Sequence, residues 1–137
     1  MSINFHYTNG LGNVGSYQIS SIPYLTSSLT IPASGSTPKV IEFPNVSRFV
    51  VITNTASPSD PSRPFRFGFS ENGVNAVDAN NYVVLDNGES FTAEFRVIKV
   101  YLMSDNGFEA TGSVVAGLTG ITNYHLPNNW SGSVGIG

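Results

Sequence analysis

Short runs in which apolar and polar residues alternate, each bounded by Gly, Pro, Asn or Asp, recur along most of this chain. No segment of about eleven residues keeps a helical period, so the pattern favours strands over helices. Each run has the length of one strand in a sheet whose two faces differ in polarity. We therefore predict eight strands: Tyr24–Ile31, Lys39–Phe43, Ser47–Thr53, Pro64–Ser70, Tyr82–Leu85, Ser90–Phe95, Ile98–Leu102 and Thr111–Leu118.

The fourth run has the clearest alternation. Phe65, Phe67 and Phe69 fall on one face of the predicted strand, whereas Arg66 and Gly68 fall on the other. Because three large rings on one face gain most by leaving water, we expect that face to point into the core, with Phe67 at its centre.

The connections are predicted from their turn residues. The polar stretch 71–81 is expected to be a loop. The sequence DNGE at Asp86–Glu89 is typical of a short hairpin with Gly88 at positive φ. In Ser90–Phe95 the apolar positions are odd-numbered, whereas Ile98, Val100 and Leu102 are even-numbered, which requires a bulge or a tight corner near residues 96 and 97.

Strands joined by loops of such mixed length fit a two-sheet jelly roll better than a seven-stranded immunoglobulin sandwich. The chain has no cysteine, so it cannot form the immunoglobulin disulfide. An up-and-down barrel stays open, because strand order cannot be read from one sequence. We predict an all-β chain: a single eight-stranded jelly-roll sandwich with extended, uncharged N- and C-terminal arms.

Charge is scarce and unevenly distributed. The 137 residues include six Lys or Arg and nine Asp or Glu, for a net charge of −3, and all of these lie between Lys39 and Glu109. A chain with so few basic residues offers no basic surface for nucleic acid. It also contains no run of about 18 apolar residues, the length that a membrane-spanning helix needs. We therefore expect neither nucleic acid nor a membrane among its partners.

The uncharged ends are rich in aromatic residues, which disordered linkers avoid. We predict an N-terminal arm at 1–15, a jelly-roll domain at 16–119 and a C-terminal tail at 120–137, with no strand beyond Leu118, so the tail is expected to be dispensable for folding. The arm and the tail are expected to contact other chains, with outer strands of the same domain or disorder as the alternatives. The candidate interface residues are Phe5, Tyr7, Tyr17, Tyr124, Leu126 and Trp130.

Motifs for catalysis or cofactor binding are weak. Gly10–Gly15 (GLGNVG) has the glycine spacing of a dinucleotide-binding loop, but Pro23 follows too soon for the required helix and the first carboxylate is Glu42. The two histidines, His6 and His125, lie in the uncharged ends, where we expect no rigid catalytic frame. We predict no enzyme activity, no cofactor and no catalytic residue.

Four carboxylates lie in predicted turns. Asp86, Glu89, Asp105 and Glu109 are expected to solvate those turns, and a calcium site built from them is the alternative. We predict no metal site.

Arginines and the single tryptophan are the remaining candidates for binding. Arg48, Arg66 and Arg96 lie near predicted strands and are expected on solvated faces, with interface ion pairs as the alternative. Trp130 could stack on a sugar, but it lies in a tail rich in Gly, Asn and Ser. Most phenylalanines fall at inward strand positions and are expected to pack the core.

Several segments resemble a known family. Residues 65–74 (FRFGFSENGV) and 82–100 (YVVLDNGESFTAEFRVIKV) look like small single jelly-roll capsid proteins, in particular the penton (vertex) proteins of large icosahedral double-stranded DNA viruses. Gly15–Gln18 (GSYQ) and Ser113–Ile121 (SVVAGLTGI) add to the resemblance, which extends over residues 15 to 121.

This resemblance implies a virion structural protein with no active site. Penton proteins form homopentamers that close fivefold vertices, so the implied partners are further copies of the chain, the major capsid protein and minor capsid proteins. The implied location is the capsid of a virion assembled inside the infected host cell. Small cement or decoration proteins of tailed phages look similar, and a carbohydrate-binding jelly-roll module is the alternative from another class.

Overall fold

The computed structural model describes residues 22–76, 80–126 and 133–136. Within these ranges the chain forms two antiparallel sheets of four strands and one short α-helix, so the all-β prediction is confirmed. The predicted arm at 1–15 lies outside the described residues.

Each predicted run overlaps one strand of the structure. The strands are β1 (Ile22–Ile31), β2 (Lys39–Glu42), β3 (Asn45–Asn54), β4 (Phe65–Gly68), β5 (Val83–Leu85), β6 (Ser90–Ala93), β7 (Lys99–Ser104) and β8 (Ala110–Thr122). The first sheet has the order β1-β8-β3-β6, and the second has the order β2-β7-β4-β5.

Strands far apart in the sequence pair with each other. β1 pairs with β8, β2 with β7, β3 with β6 and β4 with β5, all antiparallel. Two further antiparallel pairs, β3 with β8 and β4 with β7, complete the sheets. Among the described strands only β4 and β5 are both paired and consecutive, which excludes an up-and-down barrel.

The core lies between the two sheets. Phe65 and Phe67 on β4 are 0% and 2% exposed, and Phe69 packs against the same cluster. The ring of Phe67 lies 5.0 Å from that of Phe91 on the opposite sheet, measured between centroids. The prediction that these phenylalanines share an inward face is confirmed.

A short helix, α1 (Glu71–Asn75), begins where the sequence predicts a loop. Ser70 caps it, because its Oγ accepts a hydrogen bond of 2.9 Å from the backbone N–H of Gly73, and Val74 is fully buried. The loop prediction is wrong for these residues. A helix this short shows no period, so only its capping serine could have indicated it.

The turn at Asp86–Glu89 confirms one prediction and corrects another. Gly88 has a φ of 80°, and the N–H of Glu89 donates a hydrogen bond of 3.0 Å to the carbonyl of Asp86. However, β5 pairs with β4 in the second sheet, whereas β6 pairs with β3 in the first. The predicted hairpin is wrong, since turn residues specify a reversal of the chain but not which strands pair.

The corner predicted near residues 96 and 97 is a second crossing between the sheets, and it is confirmed. β6 ends at Ala93 and β7 begins at Lys99 in the opposite sheet. The hydroxyl of Ser47 holds the corner, because it accepts a hydrogen bond of 3.0 Å from the N–H of Val97 and donates one to the carbonyl of Phe95. The change of parity in the apolar positions follows from this crossing.

Substitution of Gly88 by valine is expected to lower the free energy of unfolding by about 1–3 kcal/mol, because a β-branched residue is strained at positive φ. A Cβ at this position would also lie 3.0 Å from Cγ of Pro58. Gly107→Val is the matched control, since a Cβ there meets no atom within 4 Å. Urea denaturation of both variants and the parent measures the difference. Equal midpoints for the two variants would show that the turn tolerates the side chain.

The last strand is longer than predicted. β8 continues to Thr122, and Ile121 is 0% exposed. Further along, the carbonyl of Ile136 accepts a hydrogen bond of 2.9 Å from Oγ of Ser70. The prediction that no strand extends beyond Leu118 is wrong, and parts of the predicted tail at 120–137 pack on their own domain. Small residues after Leu118 hid the end of the strand.

Candidate assembly surface

The outer face of the first sheet carries no charged side chain over three adjacent rows of paired residues in the described strands. In each row the residues are partners in the sheet register. We call these positions the uncharged face: Pro23, Gly117 and Phe49 in the first row, Leu25, Val115, Val51 and Thr92 in the second, and Ser113, Thr53 and Ser90 in the third.

The central row of the uncharged face is largely apolar. Leu25 on β1 pairs with Val115 on β8, and Val115 pairs with Val51 on β3. Thr92 extends the row onto β6, and Phe49 lies in the next row beside Val51. Because directly opposed side chains in antiparallel strands lie about 5 Å apart, these residues form one continuous patch.

Exposure and alternation show that these side chains point away from the core. Leu25 is 73% exposed, and Phe49, Val51 and Val115 are half-buried within the sheet. The residues that alternate with them on β3, such as Val50, are completely buried. The third strand is therefore apolar on both of its faces, which is typical of strands covered on both sides.

The outer face of the second sheet is different. Glu42 on β2 is paired with Lys99 on β7, so charged residues lie on that face. Helix α1 covers part of it, with Val74 buried and its carbonyl accepting a hydrogen bond of 3.0 Å from Nη1 of Arg66. Over these three rows the outer face of the first sheet thus carries no charged side chain, whereas the outer face of the second sheet does.

A face of this kind favours association. Covering it removes apolar area from water and strips no charged group of its hydration. Continuous exposed apolar patches on small proteins commonly mark sites where another protein binds. The uncharged face is therefore the surface on which we expect an interaction.

The sequence carried a signal for this face that the strand prediction did not use. Phe49–Ile52 is a run of four apolar residues, and such a run indicates a strand buried on both sides rather than on one. The candidate interface was instead expected at the chain ends, where charge is absent.

Two of the six residues predicted for an interface lie within the described ranges. Tyr124 is 77% exposed on a short 3₁₀ helix, Asn123–His125, and Leu126 is half-buried just after it. The other four are outside the described residues: Phe5, Tyr7, Tyr17 and Trp130. Tyr124 is thus available for a partner, and its role in an interface stays a prediction.

The strand arginines make contacts within the chain. The side chain of Arg66 is 12% exposed, its Nη2 lies 3.1 Å from Oδ1 of Asp105, and its guanidinium lies 4.4 Å above the ring of Tyr82. Nη1 of Arg96 donates a hydrogen bond to the carbonyl of Arg48. The prediction of a solvated face is wrong for Arg66, because its ion pair helps to fasten the β7–β8 turn to β4.

The turn carboxylates are engaged by neighbouring groups. Oδ1 of Asp86 accepts a hydrogen bond of 3.0 Å from Oγ of Ser62, and Oε1 of Glu89 accepts one of 2.7 Å from the N–H of Asp86. Nowhere in the described ranges do three or more His, Cys, Asp or Glu side chains gather as metal ligands would. The same ranges hold no helix long and apolar enough to cross a membrane.

A cleft of about 270 Å³ opens between the sheets, lined among others by Phe67, Phe69, Phe91 and Phe95. The rings pack against one another: the centroids of Phe69 and Phe95 lie 5.2 Å apart in an edge-to-face contact. Each ring is half-buried or buried. The phenylalanines therefore act as the core packing that the sequence predicts, and the cleft is the margin of that core.

No family model, curated protein or solved structure matches this chain. Its function has to be inferred from its strand order, its uncharged face and its composition.

Proposed function

We propose that this chain is a virion structural protein: a single eight-stranded jelly roll that acts as the penton of an icosahedral capsid. Five copies would form a homopentamer that closes a fivefold vertex by packing against major and minor capsid proteins. The chain would belong to virions of a double-stranded DNA virus, assembled inside the infected host cell. The role is geometric, and it requires neither a cofactor nor catalysis.

The strand pairing is the observation that carries the proposal. Pairing of β1 with β8, β2 with β7, β3 with β6 and β4 with β5 is that of one long hairpin. Rolling such a hairpin into two facing sheets produces a jelly roll, the architecture of many viral capsid domains. The resemblance of residues 15 to 121 to penton proteins agrees with this pairing.

The surface of the first sheet gives separate support. Subunits of a ring meet through two different surface patches, and the ring closes when the rotation between neighbours returns to its start. The buried core of an interface between identical subunits is rich in apolar groups and poor in charged residues. The uncharged face and the uncharged ends meet that requirement.

Native mass spectrometry of the purified chain tests the proposal. We expect a species of about 73 kDa, five times the chain mass of 14.6 kDa. Substitution of Leu25 by lysine is expected to raise the concentration needed for assembly at least about tenfold, because a buried interface would have to accept an unpaired charge. Leu25 is 73% exposed, so the fold should tolerate the change.

Ser36→Lys is the matched control, because Ser36 is exposed in the turn after β1 and lies off the uncharged face. It should assemble like the parent. A monomer that binds sugars on a glycan array would overturn the proposal in favour of the carbohydrate-binding module. A particle map with the chain off the fivefold axis would favour a cement protein.

A further inference from the structure

The structure points to an occupant for the uncharged face. We infer that the N-terminal arm, residues 1–15, of a neighbouring copy of this chain lies on it. The inference deepens the proposed function, since it rests on assembly of identical chains and names the contact that joins them.

The arm has a pattern that complements the face. In the sequence INFHYT at positions 3–8, Ile3, Phe5 and Tyr7 alternate with polar residues, so an extended arm would present all three on one side. Their span is about 13 Å at 3.3 Å per residue. Three neighbouring strands cover about 10 Å and four cover about 14 Å, which matches that span.

The arm and the uncharged face also match in their lack of charged side chains. Neither the arm nor the ten positions of the uncharged face include Asp, Glu, Lys or Arg. Contact between them would bury no Asp, Glu, Lys or Arg side chain of the arm or of these ten positions. The second sheet would be a poorer site, because its outer face carries Glu42 and Lys99 and is partly covered by α1.

The proposed assembly favours a neighbouring copy over the same copy, because an arm that covers its own sheet would not join two subunits. β1, which begins at Ile22, is one of the two edge strands of the first sheet. Residues 16–21 (SYQISS) join the arm to β1, and six extended residues span at most about 20 Å. In the proposed assembly, an arm that extends past this edge would reach the uncharged face of a neighbouring subunit.

Cysteine cross-linking tests this contact, because the chain has no cysteine of its own. Two chains of different length are co-expressed, one with Tyr7→Cys in the arm and the other with Val115→Cys in the centre of the uncharged face. Mild oxidation should join the two lengths in a single band on a non-reducing gel. The matched control replaces Val115→Cys by Val40→Cys, which lies on the outer face of the second sheet and is 38% exposed.

We expect the cross-link between positions 7 and 115 to exceed the cross-link between positions 7 and 40 at least tenfold. Equal yields would overturn the inference. A chain carrying both Tyr7→Cys and Val115→Cys gives a second measurement, because peptide mapping of its assembled form separates bonds within one chain from bonds between chains. A disulfide found only within a chain would also overturn the inference, because the arm would then cover its own sheet.

The mass of the cross-linked assembly separates this inference from the proposed function. A strong cross-link between positions 7 and 115 in a dimer or an open polymer would support the arm contact and contradict the penton. A pentamer that shows no preference for position 115 over position 40 would support the penton and contradict the arm contact. Melting temperatures of the cysteine variants show whether each chain is folded before it is oxidised.

Discussion

Phe67→Ala is expected to lower the free energy of unfolding by about 3–5 kcal/mol, the range found when a buried aromatic ring is removed. Phe67 is 2% exposed and lies in the middle of β4. Its ring contacts those of Phe69 and Phe91, at centroid distances of 6.4 and 5.0 Å, so its loss leaves a cavity between the two sheets. Equilibrium denaturation in urea measures the effect.

Phe108→Ala is the matched control for this experiment. Phe108 is 59% exposed, and the guanidinium of Arg63 lies 4.4 Å from the centroid of its ring. An exposed cation–π contact contributes about 0.5–1 kcal/mol, so this variant should lose no more than that. Similar losses for both variants would contradict the assignment of Phe67 to the core.

The positions of the strands could be predicted because burial on one face imposes a period of two on the sequence. Phe65 and Phe67 show this, since both fall on the inward side as their spacing predicts. The positive φ of Gly88 could be predicted for a similar reason, because Asn-Gly in a tight turn is a local signal.

Pairing between strands could not be predicted in the same way. The turn at Asp86–Glu89 looks like a hairpin, yet the strands on its two sides belong to different sheets. Pairing depends on contacts between segments distant in the sequence, and a two-residue reversal is compatible with either outcome.

The candidate surface was only partly predictable. Scarce charge at the ends of the chain indicated association, but the residues of the uncharged face lie on four strands that are separated in the sequence. Leu25, Val51 and Val115 become neighbours only through the sheet register. What the sequence does contain is the run Phe49–Ile52, which is apolar at odd and even positions alike.

Truncation at the C-terminal end of the domain is expected to have the second large effect on stability. A chain that stops after residue 119 is expected to lose about 2–5 kcal/mol of unfolding free energy, the range for emptying a buried aliphatic site, because Ile121 is 0% exposed. It also loses the pairing of Thr122 with Asn45 and the hydrogen bond of 3.2 Å from Nδ2 of Asn123 to the carbonyl of Phe43. These contacts argue against the sequence-based expectation that residues 120–137 are dispensable for folding, and the truncated chain tests it.

A chain that stops after residue 126 is the matched comparison. It keeps β8, Tyr124 and Leu126, and it loses the hydrogen bond between Ser70 and Ile136, so its stability should fall by only about 1 kcal/mol. Because it lacks Trp130, we expect it to assemble less readily than the full chain while remaining folded. Ile121→Ala in the full chain should reproduce most of the instability of the shorter truncation. If the chain ending at 119 were as stable as the one ending at 126, the end of β8 would not belong to the core.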